Sequence, residues 1–165
     1  MKLKLSELYL GFQNKTFKIF TKDLADRGTI YKKETIIATL SLNKEKDCFY
    51  LSGDLETVVE YTCARCLKKN PININIPLNI LILEKTMKYQ TKIDHEVIYF
   101  NKSNDDVNLK SIFSDLIALA EPIQPLCDIQ CTGLCPACGI EKTNACKCNN
   151  RTVSTAWDKL KDLHI

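Results

Sequence analysis

The distribution of cysteine constrains this chain more than any other feature. Of nine cysteines among 165 residues, eight form closely spaced pairs and one, Cys48, stands alone. An odd number in a chain of this length is atypical of a small secreted domain held by disulfides. Charges interrupt the apolar residues at the N-terminus, so no secretory signal is predicted and we expect a cytoplasmic protein. The pairs are Cys63 and Cys66, Cys127 and Cys131, Cys135 and Cys138, and Cys146 and Cys148.

Reduced cysteines in short-spaced pairs are typical of metal sites. A Cys-x-x-Cys turn brings two sulfurs close enough to share one tetrahedral ion, at roughly 2.3 Å from each sulfur. The segment 127–148 has too few large apolar residues for a core of its own, so its folding should depend on the metal. We predict that the eight paired cysteines bind two zinc ions per chain. Cys48 lies in an apolar run and is predicted to be a small core residue.

Two alternatives use the same cysteines. Four thiolates also hold iron–sulfur clusters, and spacing alone does not exclude them, although zinc is favoured. Thiol–disulfide exchange at Cys63 and Cys66 would need an isolated reactive pair at a helix N-terminus. Because this pair follows a predicted strand and has six possible co-ligands, redox catalysis is disfavoured.

Hydrophobic periodicity predicts a strand-rich part followed by a helix. Residues 72–82 alternate between large apolar and polar side chains, the period of a half-buried strand, and Pro77 suggests an edge position or a bulge. Apolar residues recur at helical spacing over 109–120, with Asn108 as the predicted N-cap. Further strands are predicted at 34–42, 48–51, 55–62 and 96–100, with a polar turn at 43–47.

These patterns predict an α+β fold. We expect residues 1–120 to form a β-rich core domain, a mainly antiparallel sheet or a barrel-like arrangement, closed by the helix. Residues 121–165 should form a cysteine-rich zinc-binding segment and a terminal helix packed on that domain, with Trp157 on its apolar stripe. No run of 18 apolar residues occurs, so no transmembrane helix is predicted.

Motifs and charge argue against an enzyme and against diffuse nucleic-acid binding. The chain has two histidines and no P-loop, Gly-x-Ser-x-Gly or His-Glu-x-x-His motif. A site with four cysteine ligands leaves no open position for water, so we predict no catalytic activity. The net charge is +3. Eight thiolates and two zinc ions change it to about −1, so any RNA contact must use a local patch.

The residues around the cysteines form two longer motifs. The first is Tyr61-Thr62-Cys63-Ala64-Arg65-Cys66-Leu67, preceded by Gly53-Asp54-Leu55. The second comprises Pro125-Leu126-Cys127, Cys131-Thr132-Gly133-Leu134-Cys135-Pro136, Cys138-Gly139 and Cys146-Lys147-Cys148, followed by Arg151. Together they resemble the signatures of the YceD-like family, the large ribosomal RNA subunit accumulation proteins, from about Gly53 to Leu163. Glu121-Pro122 and Asn149-Asn150-Arg151 depart from the family pattern, but neither touches a cysteine.

The resemblance implies a function. Family members are bacterial or organellar cytosolic factors needed for accumulation of large-subunit (23S) ribosomal RNA. The implied partners are that RNA, its precursor particles or a ribosomal protein, with no membrane involved.

The resemblance also implies how the cysteines group, because some members lack the last four. Cluster one is then Cys63, Cys66, Cys127 and Cys131, and cluster two is Cys135, Cys138, Cys146 and Cys148. An interleaved grouping, with Cys63 and Cys66 joined to Cys135 and Cys138, stays open.

Arg65, Lys68 and Lys69 are the candidate RNA-binding residues. The alternative for Arg65 is that its guanidinium caps carbonyls of the knuckle or offsets thiolate charge, and the alternative for the lysines is a solvated turn. An apolar rim of Leu126, Leu134 and Pro136 would instead suit a protein partner. The alternative function is therefore a zinc-stapled protein–protein adaptor unrelated to RNA.

Overall fold

Long alternating stretches of apolar and polar residues build the main sheet. The computed structural model describes residues 1–45, 48–85, 96–142 and 146–148. The chain divides into two units, the first formed by Met1–Tyr61 and Asn70–Ile123, the second by Thr62–Lys69 and Gln124–Ile165. The elements are β1 (Lys2–Lys4), α1 (Leu5–Leu10), β2 (Phe12–Phe20), a 3-10 turn (Thr21–Asp23), β3 (Thr35–Glu45), β4 (Cys48–Thr62), β5 (Lys69–Glu84), β6 (Glu96–Phe100), β7 (Asp106–Asn108) and α2 (Lys110–Leu119).

The main sheet has five strands in the order β2-β3-β4-β5-β6. β3 pairs antiparallel with both β2 and β4, and Leu40 lies opposite Gly53. β5 and β6 are parallel, with Ile82 opposite Ile98. The prediction of a β-rich α+β fold is confirmed. Barrel-like closure is not shown, since no pairing within the described residues joins β2 to β6.

β5 confirms the strand predicted at 72–82. Ile76, Leu78 and Ile80 are buried, whereas Asn73, Asn75 and Asn79 are exposed, because alternate side chains point to opposite faces of a sheet. The ladder with β6 begins at Ile80. Pro77 therefore precedes the part of β5 that is paired with β6, which agrees with the expected edge position.

The core of the first unit lies between the sheet and α2. Phe113 and Ile117 on α2 are fully buried in one apolar cluster with residues such as Leu40, Leu55 and Ile80. α2 confirms the predicted helix, but its N-cap is Leu109 and not the predicted Asn108. Asn108, one residue earlier, accepts a hydrogen bond from the backbone N–H of Lys110 at 3.0 Å. Cys48 is buried beside Leu81 and Leu83, as a core residue would be. Of the helices that the structure describes, none has the length and apolarity to cross a membrane.

Four features of the strands and units differ from the sequence expectations. The strands predicted at 48–51 and 55–62 form one continuous strand, β4, because residues 52–54 also pair with β3. The polar residues Asn43–Glu45 continue β3 and pair with Cys48–Tyr50 rather than forming a turn, since their exposed side chains suit a solvated hairpin end. The short β1 and β7, which pair antiparallel, were not predicted. Residues 62–69 belong with the cysteine-rich unit, whereas the predicted boundary at 120 placed them in the first part. The predicted terminal helix with Trp157 lies outside the described residues.

Candidate metal centre

Two turns of the same construction present the first cysteine pair of each cluster. In the first knuckle, residues 63–68, Leu67 N–H donates to Cys63 O at 2.9 Å and Cys63 N–H donates to Lys68 O at 2.8 Å. In the second knuckle, residues 135–140, the equivalent bonds are Gly139 N–H to Cys135 O at 2.8 Å and Cys135 N–H to Ile140 O at 2.7 Å. The same local spacing therefore closes the same turn twice.

The residue after the second cysteine of each knuckle has left-handed backbone geometry. Gly139 has φ +71° and Leu67 has φ +61°. Glycine adopts this conformation without a steric penalty, whereas a residue with a Cβ does so at a cost. The Leu67 side chain is 62% exposed, so burial does not compensate for that cost.

Cluster one brings together Cys63, Cys66, Cys127 and Cys131. All four Sγ atoms lie within 4.8 Å of one another. The Cys63–Cys131 and Cys66–Cys127 sulfur distances are 3.9 and 3.5 Å. Four sulfurs at 2.3 Å around a tetrahedral ion lie about 3.8 Å apart, so these sulfurs match the spacing of a zinc site. Cys63 and Cys66 are buried, and the other two are half-buried.

Cluster two brings together Cys135, Cys138, Cys146 and Cys148. Its four Sγ atoms also lie within 4.8 Å of one another, and Cys138 and Cys146 are 3.7 Å apart. Cys135 is buried, but Cys138 and Cys148 are exposed. The second cluster therefore has the same donor chemistry as the first in a more open setting.

Backbone amides favour a thiolate at the first cysteine of each knuckle. The N–H groups of Cys127 and Cys66 are directed at the Cys63 thiol and lower its pKa to about 6. In the second knuckle the N–H of Cys138 makes the largest contribution in lowering the pKa of Cys135 to about 6. A hydrogen bond to the charged form stabilises that form, so each knuckle prepares one anionic ligand.

The crowded thiols oppose further ionisation. Hydrogen bonds with the Cys66 and Cys131 thiols raise the pKa of Cys127 to about 12. The pKa of Cys148 is raised to about 12, mainly by a hydrogen bond with the Cys138 thiol and next by the charge of Cys138. Four thiolates at this spacing require a cation to offset their repulsion. Each cluster could therefore hold a metal ion, and all-sulfur coordination suits zinc or an iron–sulfur cluster.

Arg65 lies between Cys63 and Cys66 and contacts the cysteine-rich loop in two ways. Its guanidinium Nη1 donates to Cys131 O at 2.9 Å and to Ile129 O at 3.4 Å. Its backbone carbonyl accepts the N–H of Leu134 at 3.1 Å. The Arg65 guanidinium therefore caps backbone carbonyls, but these belong to residues 129 and 131 and not to its own knuckle.

The other predicted surface residues are placed as follows. Lys68 forms an ion pair of 2.6 Å with Glu141. Lys69 is the exposed first residue of β5. Leu126 and Leu134 are half-buried, and Pro136 is exposed. Sequence reasoning missed Glu141, and no local pattern around it indicates its distant partner. Arg151 and both histidines lie outside the described residues.

The fold and the two clusters define a β-rich protein with a second unit built around eight cysteine thiols. A family model described as large ribosomal RNA subunit accumulation protein YceD matches residues 51–164. The chain belongs to the YceD family. This finding confirms the family resemblance, and the described cysteines group as that resemblance implied.

A curated relative and the solved structures complete the comparison. The large ribosomal RNA subunit accumulation protein YCED homolog 1, chloroplastic, of Zea mays is 19% identical over 146 residues. The match covers 72% of this chain and 50% of the relative, so the chain spans about half the relative's length. No solved structure gives a significant match.

Proposed function

We propose that this protein is a non-catalytic ribosome biogenesis factor that promotes accumulation of large-subunit (23S) ribosomal RNA in the cytoplasm. The observation that carries the proposal is the YceD family match over residues 51–164. The name of the maize relative refers to the same process. In this proposal the protein binds the RNA or its precursor particles.

Two zinc ions, one in each cluster, stabilise the second unit in this proposal. The ligands are Cys63, Cys66, Cys127 and Cys131 in cluster one and Cys135, Cys138, Cys146 and Cys148 in cluster two. Eight thiols in two tetrahedral-sized groups support this assignment. A closed site with four protein ligands organises the chain and leaves no position for a reacting water, which supports a role without catalysis.

Arg65, Lys68 and Lys69 are the proposed RNA contacts. All three are exposed on the second unit. Arg65 and Lys68 already have protein partners, so we expect them to contact RNA phosphates through their remaining donors. An exchange of charges tests Lys68. Lys68→Glu alone should lose RNA binding, and the double variant Lys68→Glu with Glu141→Lys keeps an ion pair between the two positions. If the double variant also fails to bind RNA, the loss is due to a direct contact of Lys68 with RNA and not to the broken ion pair.

A protein–protein adaptor is the second candidate, favoured by exposed apolar residues on the same unit. Leu67, Ile129 and Ile140 are 62%, 88% and 59% exposed. Side chains of this kind bury well against a protein surface. In this candidate the partner has no connection with RNA.

Depletion of the protein in its host, followed by restoration, tests the main proposal. We expect depletion to lower large-subunit RNA relative to small-subunit RNA. The wild-type gene and a Cys48→Ala variant should restore the ratio, because Cys48 belongs to neither cluster. We expect the wild-type protein to co-sediment with large-subunit precursors. An unchanged RNA ratio without co-sedimentation would favour the unrelated adaptor.

A further inference from the structure

Only three residues separate the last ligand of cluster one from the first ligand of cluster two. These are Thr132, Gly133 and Leu134, between Cys131 and Cys135. A displacement of Cys131 reaches Cys135 through this short chain if the chain is rigid. Whether the clusters act together depends on how firmly this link is held.

Arg65 holds both ends of the link. Its guanidinium binds Cys131 O at 2.9 Å, and its own carbonyl binds the N–H of Leu134, beside Cys135, at 3.1 Å. Its N–H lies 3.4 Å from Cys63 Sγ, which fixes the residue within the first knuckle. One residue of cluster one's knuckle thus fixes the position of the chain that enters cluster two.

Gly133 makes this contact possible. It is buried and has φ +75°, and a Cβ there would lie 3.0 Å from Arg65 O and 3.3 Å from Arg65 Cβ. An L-residue at this position would carry backbone strain and press against the first knuckle. Glycine therefore permits the close approach of the link to Arg65 without strain or displacement.

The residues that follow the second knuckle also contact the link between the clusters. Lys142 N–H donates to Gly133 O at 2.9 Å, and the hydroxyl of Thr132 donates to Lys142 O at 2.7 Å. Glu141 bridges to Leu134 and pairs with Lys68 of the first knuckle at 2.6 Å. The link is held from both sides, so its order should depend on both knuckles.

We propose that Arg65 and Gly133 couple the two clusters, so that a metal ion in one raises the metal affinity of the other. A metal in cluster one fixes the first knuckle and Cys131, and through Arg65 it orders the link to Cys135. Because the link is already ordered, cluster two loses less conformational entropy when it binds metal. Coupling is reciprocal, so metal in cluster two strengthens cluster one by the same factor. This inference rests on the metal binding proposed above.

Cobalt titration of the full-length reduced protein tests the coupling. Thiolate–cobalt absorption reports the total filling of the two clusters, and each single-cluster variant gives the signal of its own cluster. Isotherms are compared for the intact protein, for cluster two alone (Cys63→Ser with Cys66→Ser), and for cluster one alone (Cys138→Ser with Cys148→Ser). We expect the ion in cluster one to bind about tenfold more tightly when cluster two can also fill. Because the coupling is reciprocal, the variant with cluster one alone suffices if the other fails to fold.

Three glycine-to-alanine variants locate the coupling. Gly133→Ala should reduce the coupling factor, which is the ratio of the cobalt affinities of cluster one with and without a functional cluster two, to near one. Gly139→Ala has a similar φ of +71° but nothing within 4 Å of its Cβ, so it should weaken cluster two while leaving the factor unchanged. Gly28→Ala, with φ +82° in the first unit and equally open space, should change neither quantity.

The possible outcomes are distinct. One result is that the protein shows cobalt–thiolate bands while the isotherm of the intact protein equals the sum of the two single-cluster isotherms. That result would overturn the coupling but agree with metal binding at both clusters. Equal factors in the wild type and Gly133→Ala would overturn the role of the Arg65–Gly133 contact. An intact protein without cobalt–thiolate bands would contradict the proposed metal sites themselves.

Discussion

Leu67 occupies the position in the first knuckle that Gly139 occupies in the second. Its φ of +61° costs an L-residue about 1–2 kcal/mol, and its side chain is largely exposed. Leu67→Gly removes that strain but adds about 0.5–1 kcal/mol of unfolded-chain entropy, so the free energy of unfolding should rise by about 0.5–1 kcal/mol. Leu67→Val, which is β-branched, should lower the free energy of unfolding by about 1 kcal/mol.

Urea denaturation of metal-loaded protein measures both Leu67 variants. A loss of more than about 1 kcal/mol in Leu67→Gly would indicate that the leucine side chain is buried in a stabilising contact. Since this variant should remain folded, it also tests the adaptor candidate. Loss of partner binding without loss of stability would assign the exposed leucine to the partner surface.

Thr57 is a buried residue whose hydroxyl has no hydrogen-bond partner among the described residues. It is only 5% exposed, so the oxygen loses its contact with water without compensation. Thr57→Val replaces that oxygen with a methyl group of similar size and should raise the free energy of unfolding by about 1 kcal/mol. Thr39→Val, at a half-buried site on β3, is the control and should change little. Equal effects of the two substitutions would mean that β-propensity, and not the buried hydroxyl, sets stability.

At the scale of the elements, α2 stabilises the first unit through one face. Phe113 is fully buried in the core, whereas Leu119 near the C-terminal end of the helix is 77% exposed. Phe113→Ala should therefore cost about 3–5 kcal/mol of unfolding free energy, from lost burial and the cavity left behind. Leu119→Ala should cost less than about 0.5 kcal/mol. Thermal unfolding of the two variants would contradict this arrangement if their melting temperatures fell equally.

At the scale of the whole molecule, the two units should respond differently to metal removal. The first unit has its own apolar core, while the second contains both thiol clusters, which we proposed to be stabilised by metal. Chelation of the reduced protein should therefore speed hydrogen exchange in residues 62–69 and 124–142 and leave the backbone of β3 and β4 up to residue 61 protected. Equal loss of protection in both regions would mean that the first unit also requires the metal.

Zinc stoichiometry belongs to the same scale. The purified protein should contain two zinc ions per chain, and Cys48→Ala should retain both. Cys66→Ser removes a buried ligand of cluster one and should release at least one ion. Metal analysis by mass spectrometry measures all three proteins. A ratio near one in the wild type, or a coloured iron chromophore, would contradict the two-zinc proposal.

The features that could be predicted from the sequence arise from interactions between near neighbours. Alternation over 72–82 specified β5, because successive side chains of a strand face opposite ways. The 3.6-residue period specified α2, and each Cys-x-x-Cys spacing specified a knuckle. None of these required knowledge of where the rest of the chain runs.

Tertiary structure decided the contacts between distant residues. The parallel pairing of β5 with β6, the grouping of Cys63 with Cys131 and the two acceptors of Arg65 all join residues far apart in the sequence. Of these, the cysteine grouping was implied by the family resemblance and not by local spacing. The left-handed conformation of Leu67 has no sequence signal at all, since leucine has no local preference for it. Local spacing determines which thiols share a turn. Only the path of the whole chain determines which turns meet, because that choice depends on burial and hydrogen bonds between segments.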